Sequence, residues 1–336
     1  MNLQTLGEFG FIDRIKRGCL HRKESVIKAI GDDCAAYRTD SEMLTLVTTD
    51  LLIERVHFVR ASTSGYNLGH KALTVNLSDI AAMGGIPGEA FVSLAIPQDC
   101  DIEFLDDLYR GMKSLASEHK VNILGGDTTS SPADLVINIA LTGSVDPDAL
   151  LLRSSAQPGD IICITGYPGE SKAGLHFILN NIKPHRKHEK MLVNRHLFPR
   201  PFIDEGQFLA QYQGVHAGID ISDGLSSDCR HLAKSSKVGV RLFEKKLPIS
   251  PELQQFCEAT DTNPLKHVLA GGEDYLLLVT IHPSKAEPIA STYAKEFGSP
   301  LFQIGEIYKG SGMELVHSDG TVTQLKATGW DHFEHK

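Results

Sequence analysis

No apolar run in the sequence approaches the roughly 18–20 residues of a membrane-spanning helix, which excludes a helical membrane protein. Its opening stretch, "MNLQTLGEFGFIDRIKR", carries acids early and lacks an apolar signal-peptide core. A cytoplasmic protein is the expectation. None of the six cysteines (Cys19, Cys34, Cys100, Cys163, Cys229 and Cys257) form a C-x-x-C pair. In a chain of 336 residues they read as reduced thiols, several of them buried, and leave zinc and iron–sulfur centres without a ligand pattern. Bases are outnumbered by acids, 33 to 42, and the net charge of −9 argues against a general nucleic-acid binder, which needs a basic face. The phosphate-binding G-x-x-x-x-G-K-[ST] is absent, and so are G-x-G-x-x-G, H-R-D, H-E-x-x-H and G-x-S-x-G. If the chain handles a nucleotide, it does so by another route.

What is present is an alternation of strands and helices without internal repeats. In the first half, residues 43–50, 90–97 and 134–143 combine β-branched residues with an apolar bias and predict strands. Residues 101–120 place Ile102, Leu105, Leu108, Met112 and Leu115 near period 3.6, predicting a helix with an acidic start and a basic end. "VNILGGD" (121–127) reads as a short strand running into a Gly-Gly turn. The texture changes at "LLRSSAQPGD" (151–160), where a domain boundary is placed. Beyond it the patterns predict a strand from 161, helices at 170–181, across 189–212 and from 225, and strands at 219–224, 238–243 and 274–281. The histidines of the polar, basic segment 180–190 are expected on a solvated surface. The fold class is α/β (α+β) in two domains, 1–150 and 151–336.

The acids fall in informative places. Asp33 sits in "IGDDCAAY", Asp50 closes "LVTTD", Asp127 closes "ILGGD", and Asp220 and Asp223 occupy "GIDISDG". For any one of these, a turn or a helix cap is the simpler account. Asp79 differs. In "VNLSDIAAMGG" it shares a helical face with Val75, Ala82 and Met83, where neither turn nor cap explains it. Its alternative is a buried ion pair with Lys71 or His70. Desolvating isolated carboxylates costs several kcal/mol each, so six acids beside glycines and strand ends suggest a shared counter-charge, which oxygen-seeking dications such as Mg²⁺ supply.

"IGDDCA" (30–35), "TTD" (48–50), "KALTVNLSDIAAMGG" (71–85), "LGGDTT" (124–129), "SSAQPGD" (154–160), "IDISDGL" (219–225), "GGEDY" (271–275) and "GWDHF" (329–333) follow one another in an order that resembles the thiamine-monophosphate kinases. The resemblance runs from about residue 7 to 333. It implies the fold shared with aminoimidazole-ribonucleotide synthetase, an N-terminal ATP- and Mg²⁺-binding domain that pairs into a homodimer, and a C-terminal domain that closes the site. It implies direct phosphorylation of thiamine monophosphate by ATP, with several Mg²⁺ ions between the phosphates. The metal ligands it implies fall on Asp33, Thr48, Thr49, Asp50, Asp79, Asp127, Asp220 and Asp223. Contacts to ATP fall on Gly126, Asp127, Arg153, Ser222 and Tyr109, and contacts to thiamine monophosphate on His57, Glu273 and Trp330. A tyrosine is common in the family where this chain has Trp330. Other members of the fold need features this chain lacks. A reactive cysteine in a glycine-rich loop would mark the selenium enzyme, but Cys19 in "RGCLHRK" has no such loop.

The residues themselves leave alternatives open. Trp330 offers a stacking face to a flat or cationic ring, or pins the tail to the core. Glu273 bonds an aminopyrimidine, or is a turn acid. His57 touches the acceptor phosphate, or is a satisfied strand histidine. Arg153 reaches a nucleotide phosphate, or makes an inter-domain ion pair. A second class of function, a non-catalytic nucleotide- or metal-binding module, would lack one of the phosphate-clamping acids.

Overall fold

The computed structural model describes residues 23–39 and 41–330, together with residues 10 and 12. Cys19 and the end of the "GWDHF" motif (331–333) lie outside the described residues. The N-terminal half builds a six-stranded sheet from β1 (Val26–Lys28), β2 (Ala35–Arg38), β3 (Leu44–Ile53), β4 (Ile86–Pro97), β5 (Asn122–Ser131) and β6 (Val136–Val145), in the order β1-β2-β3-β6-β4-β5. Only β4 and β5 run parallel. Helices α1 (Gly65–Ala82) and α2 (Ile102–Glu118) pack on one face of this sheet, and α2 makes the crossover between the parallel pair. Strands β3 and β6 alternate buried and partly exposed residues, as expected for a sheet covered on one side.

The C-terminal half builds a seven-stranded sheet from β7 (Ile161–Ile164), β8 (Val215–Ile221), β9 (Gly239–Phe243), β10 (Leu276–Ile281), β11 (Phe302–Tyr308), β12 (Met313–Val316) and β13 (Val322–Gln324), in the order β13-β12-β9-β11-β7-β10-β8. The helices of this half are α3 (Glu170–Leu179), α4 (Lys187–Leu197), α5 (Ile203–Ala210), α6 (Leu225–Ser236), α7 (Pro251–Thr260), α8 (Pro264–Ala270) and α9 (Pro283–Phe297). Among the described residues, no helix is long and apolar enough to cross a membrane.

Helix α1 joins the halves. It contacts β3 and β6 on one side and β8 and β10 on the other, and its apolar residues belong to a core cluster containing side chains from both sheets. Leu73, Leu77, Ile80 and Ala81 are each at most 1% exposed, which accounts for its small, apolar composition. Gly206 comes so close that a Cβ there would lie 2.2 Å from the Ala81 carbonyl oxygen.

Three sequence readings need correction. "VNILGGD" does not end in a Gly-Gly turn, because β5 continues to Ser131. Gly126 instead permits a close approach. Its φ is 148° and a Cβ would meet the Val92 carbonyl oxygen at 1.7 Å. The helical pattern across 189–212 is two helices, α4 and α5, separated at Pro199 and Pro201, which remove backbone donors and disfavour helix before them. The apolar run from 274 becomes a strand only at Leu276, since Glu273 (φ 61°) and Tyr275 (φ 53°) turn the chain through the left-handed region.

Candidate active site

The acids picked out by sequence come from five separate segments. Asp33 lies in the loop before β2. Thr48, Thr49 and Asp50 lie on β3, Asp79 is near the end of α1, and Asp220 is near the end of β8. Ser222 and Asp223 follow in the turn into α6. Carboxylate oxygens of Asp33, Asp79 and Asp220 lie within 4.8 Å of one another. The Thr48 hydroxyl donates to Asp79, and the Ser78 hydroxyl donates to Asp220 at 2.7 Å. Asp50 Oδ2 is buried without a hydrogen-bond partner.

Crowding and burial disfavour charge on these groups. Burial and the charges of Asp50, Asp220 and Asp33 push the Asp79 carboxyl well above the usual carboxylate range, with the Thr48 hydroxyl a small offset. Burial and Asp33 do the same to Asp220, and they raise Asp50 to about 6. Arg153 supplies the one close cation of the cluster among the described residues. Its Nε donates to Asp33 Oδ2 at 2.8 Å, its Nη2 donates to Asp33 Oδ1, and its Nε lies 3.7 Å from Asp32. The Asp32 side chain is itself paired with Lys28 at 2.7 Å. Arg153 therefore makes an ion pair, with Asp33 as its partner. The ion pair considered for Asp79 does not form. Lys71 instead binds Glu273 at 2.7 Å, while His70 bonds the Pro199 carbonyl and stacks on Phe198.

An open cavity of about 850 Å³ lies against the cluster. Its lining includes acidic and polar residues, Thr49, Asp50, Asp79, Asp220, Ser222, Asp223 and Arg153. It also includes apolar ones, Val56, Phe58 and Val59 together with Leu175, Ile178 and Leu179 of α3. His57, Glu273 and Trp330 also line it. The His57 Nδ1 accepts from the Ile53 N–H at 2.9 Å, so the ring is fixed locally as well as facing the cavity. The Trp330 N–H donates to the Asp223 carbonyl at 3.0 Å, which ties the C-terminal segment to the acidic turn, and its side chain stays half exposed.

Tyr109, Gly126 and Asp127 are not brought to this cavity within one chain. Asp127 lies on the exposed edge strand β5, where its Oδ1 accepts from the Thr128 N–H at 2.9 Å. It pairs with Ser93, Ser93 with Asn138, and Asn138 with Leu51. Asp127 is thus three strands from β3, about 14 Å at ~4.8 Å per strand. Tyr109 packs from α2 onto the core.

The structure adds residues that sequence reading did not single out. His196, Lys172, Asp228 and His231 all line the cavity, as does Lys71, which the sequence had offered only as a partner for Asp79. Asp228 accepts from the Gly224 N–H at 3.0 Å, and burial together with Asp223 and Asp220 pushes its carboxyl up. Its only sequence signal was its position five residues after Asp223. His196 carried none, because it lies on a helix whose apolar neighbours explained the pattern. Of the histidines expected at the surface, His185 is exposed and His188 is half-buried.

What this cleft can do follows from its charge. It would repel a polyanion unless dications intervened, and it would then offer its acids to phosphates and its apolar lining to an apolar group. A family model described as "AIR synthase related protein, N-terminal domain" matches residues 31–145, and "AIR synthase related protein, C-terminal domain" matches residues 157–318. Thiamine-monophosphate kinase of Aquifex aeolicus (strain VF5) is 38% identical over 333 residues, covering 99% of this chain and 100% of that one. The Bacillus subtilis (strain 168) protein of the same name is 33% identical, covering 98% and 100%. A solved structure of AaThiL complexed with AMPPCP and TMP superposes with a TM-score of 0.87 at 36% identity, covering 99% of each chain. The thiamine-monophosphate kinase structure from Stenotrophomonas maltophilia K279a gives 0.76 at 32% identity, covering 95% and 98%. Hydrogenase maturation protein HypE in complex with ATP shares the fold, with a TM-score of 0.71 at 17% identity.

Proposed function

The chain belongs to the AIR synthase related family and, within it, to the thiamine-monophosphate kinases, and we propose that its acidic cleft performs that reaction. It transfers the terminal phosphoryl group of ATP to the phosphate of thiamine monophosphate, giving ADP and thiamine diphosphate. The bond from the transferred phosphorus to the ATP bridging oxygen breaks, and a new bond forms to an acceptor phosphate oxygen. That oxygen is largely ionised near neutral pH, since the second phosphate pKa is about 6. No side chain has to remove a proton from it. The solved relative holding AMPPCP, an ATP analogue, together with TMP is consistent with this pairing of substrates.

The observation that carries this reading is the convergence of Asp33, Asp79 and Asp220, two of which, Asp79 and Asp220, line a cavity that also has apolar walls. Three carboxylates within 4.8 Å, with the orphaned Asp50 Oδ2 nearby, suit hard dications that take oxygen ligands. Asp33, Thr48, Thr49, Asp50, Asp79, Asp220 and Asp223 would hold Mg²⁺, which neutralises the charge of both phosphate groups. Arg153 and Ser222 hold the nucleotide phosphates. His57, Glu273 and Trp330 orient the thiamine moiety, and the apolar wall of α3 excludes water around it. Phosphoryl transfer asks mainly for such positioning and charge neutralisation.

In this reading residues 1–150 carry a homodimer contact and the Asp33, Asp50 and Asp79 part of the nucleotide and metal site, and residues 151–336 close it with Arg153, Asp220, Ser222 and Asp223. Support for the homodimer is the uncovered face of the N-terminal sheet. No described element packs on it, and it carries Phe91, 42% exposed. On the family resemblance Gly126, Asp127 and Tyr109 would also contact the nucleotide, although they lie outside the cavity of a single chain.

Incubating the protein with ATP, Mg²⁺ and thiamine monophosphate tests the reading. Thiamine diphosphate and ADP should appear in equal amounts and disappear with EDTA. Absence of thiamine diphosphate, with turnover of an aminoimidazole precursor instead, would overturn it.

A further inference from the structure

A buried lysine is costly unless paired, and Lys71, only 3% exposed, is placed inside the central helix at the wall of the cavity. Its Nζ lies 2.7 Å from Glu273 Oε1. Glu273 Oε2 faces His196, whose Nδ1 is 3.4 Å away and is also 3.0 Å from the Ser171 hydroxyl. The Glu273 backbone is pinned separately. Its N–H donates to the Ser222 carbonyl at 2.7 Å, and the Tyr275 N–H donates to the Ile221 carbonyl at 2.9 Å. A left-handed φ of 61° at Glu273 is uncommon for a non-glycine residue and persists only where surroundings enforce it. Both the backbone and the side chain of Glu273 are therefore held.

The helix makes this arrangement a spacer. Lys71, Val75 and Asp79 recur every four residues on one face of α1, and all three line the cavity. Lys71 and Asp79 are eight residues apart, about 12 Å along the axis at 1.5 Å per residue. The Glu273 carboxylate is thus anchored at a fixed distance from the acidic cluster, on the same rigid element that carries Asp79.

We propose that Lys71 is a positioning residue for the acceptor: by holding the Glu273 carboxylate, it sets where the thiamine ring system sits relative to the phosphate at the acidic cluster. The proposal rests on the reading that Glu273 contacts the acceptor. Lys71 does not touch the reacting atoms, and its effect passes through Glu273.

A double-mutant cycle tests this with steady-state kinetics on the full chain. Lys71→Met should raise KM for thiamine monophosphate at least tenfold, leave KM for ATP within about twofold and change kcat far less than KM. Glu273→Gln should do the same. The double variant Lys71→Met/Glu273→Gln should be no worse than Glu273→Gln alone, because the lysine then has nothing to position. Multiplied penalties in the double variant would show that Lys71 acts independently and would overturn the proposal. An unchanged KM in Lys71→Met beside a raised KM in Glu273→Gln would overturn the proposal while leaving the Glu273 contact standing. An unchanged KM in Glu273→Gln would overturn both. If Lys71→Met fails to fold, Lys71→Arg keeps the charge but displaces it; a raised KM for thiamine monophosphate alone supports positioning, and parallel rises for both substrates overturn it.

Discussion

At the residue scale, Asp79 shows how much a single misplaced charge can say. It sits among buried residues on a largely buried helix, close to Asp33 and Asp220, with the Thr48 hydroxyl as its protein partner. The amide of Asp79→Asn keeps that shape and removes a charge that burial already disfavours, so the fold should be retained. A neutral amide is a poor Mg²⁺ ligand, and turnover should fall at least a hundredfold with an unchanged thermal midpoint; wild-type turnover would make Asp79 structural. Asp50 adds a pH dependence. Its carboxyl, raised to about 6 from 3.8, keeps a proton in the metal-free folded chain that the unfolded chain has already released. Between about pH 4 and 6 the folded state binds more protons, so this group's contribution to stability falls as pH rises through that window. Mg²⁺ must displace the proton below pH 6 and meets a free carboxylate above it. The rise in melting temperature on adding Mg²⁺ should be small at pH 5 and large at pH 7.5, and Asp50→Asn should flatten that difference. Equal rises at both pH values in the wild type would remove Asp50 from the metal site.

At the element scale, the site depends on where α1 lies, and α1 is held against α2 by backbone contact. A Cβ at Gly69 would lie 1.8 Å from the Leu108 carbonyl oxygen, and one at Gly111 would lie 1.9 Å from that of Tyr66. Gly69→Ala must push the helices apart, at a cost of about 1–3 kcal/mol for overpacking. The melting temperature should drop by several degrees, and KM for Mg²⁺ should rise because Asp79 moves with the helix; unchanged values for both would mean the helices re-dock without shifting the site. This shows what the sequence could and could not disclose. The acid on an Ala- and Gly-rich face was visible, because period and charge are local properties. The strands β3, β4 and β6 and the helix α2 were visible for the same reason. The partners of Lys71 and Glu273 were not, since they lie 202 residues apart and meet only through the left-handed turn at Glu273. Gly126 looked like a turn glycine because the neighbour it accommodates, Val92, belongs to another strand. Helices α7 to α9 and strands β11 to β13 were not picked out, although α9 repeats Ala286, Ile289, Tyr293 and Phe297 at helical spacing.

At the scale of the whole molecule, two sheets share one central helix, and the second face of the N-terminal sheet is left without a described covering element. The sequence of β4, "AFVSLAIP", is nearly continuous in apolar residues, as in strands buried on both faces. Val92 and Leu94 point into the core, 3% and 4% exposed, whereas Phe91 points the other way at 42%. Its strand neighbours across the sheet are Ala140 on β6 and Gly125 on β5, which leave the ring standing clear. A sheet face of this kind is accounted for by a second copy meeting it, which the homodimer reading supplies. Sedimentation velocity should therefore find a dimer for the wild type. Phe91→Lys places a charge at the centre of that face without touching the core on the α1 side. It should shift the protein to a monomer at micromolar concentration while far-UV circular dichroism stays unchanged. A dimer of unaltered stability in Phe91→Lys would move the interface elsewhere, and a monomeric wild type would leave the face exposed and its apolar residues without a partner.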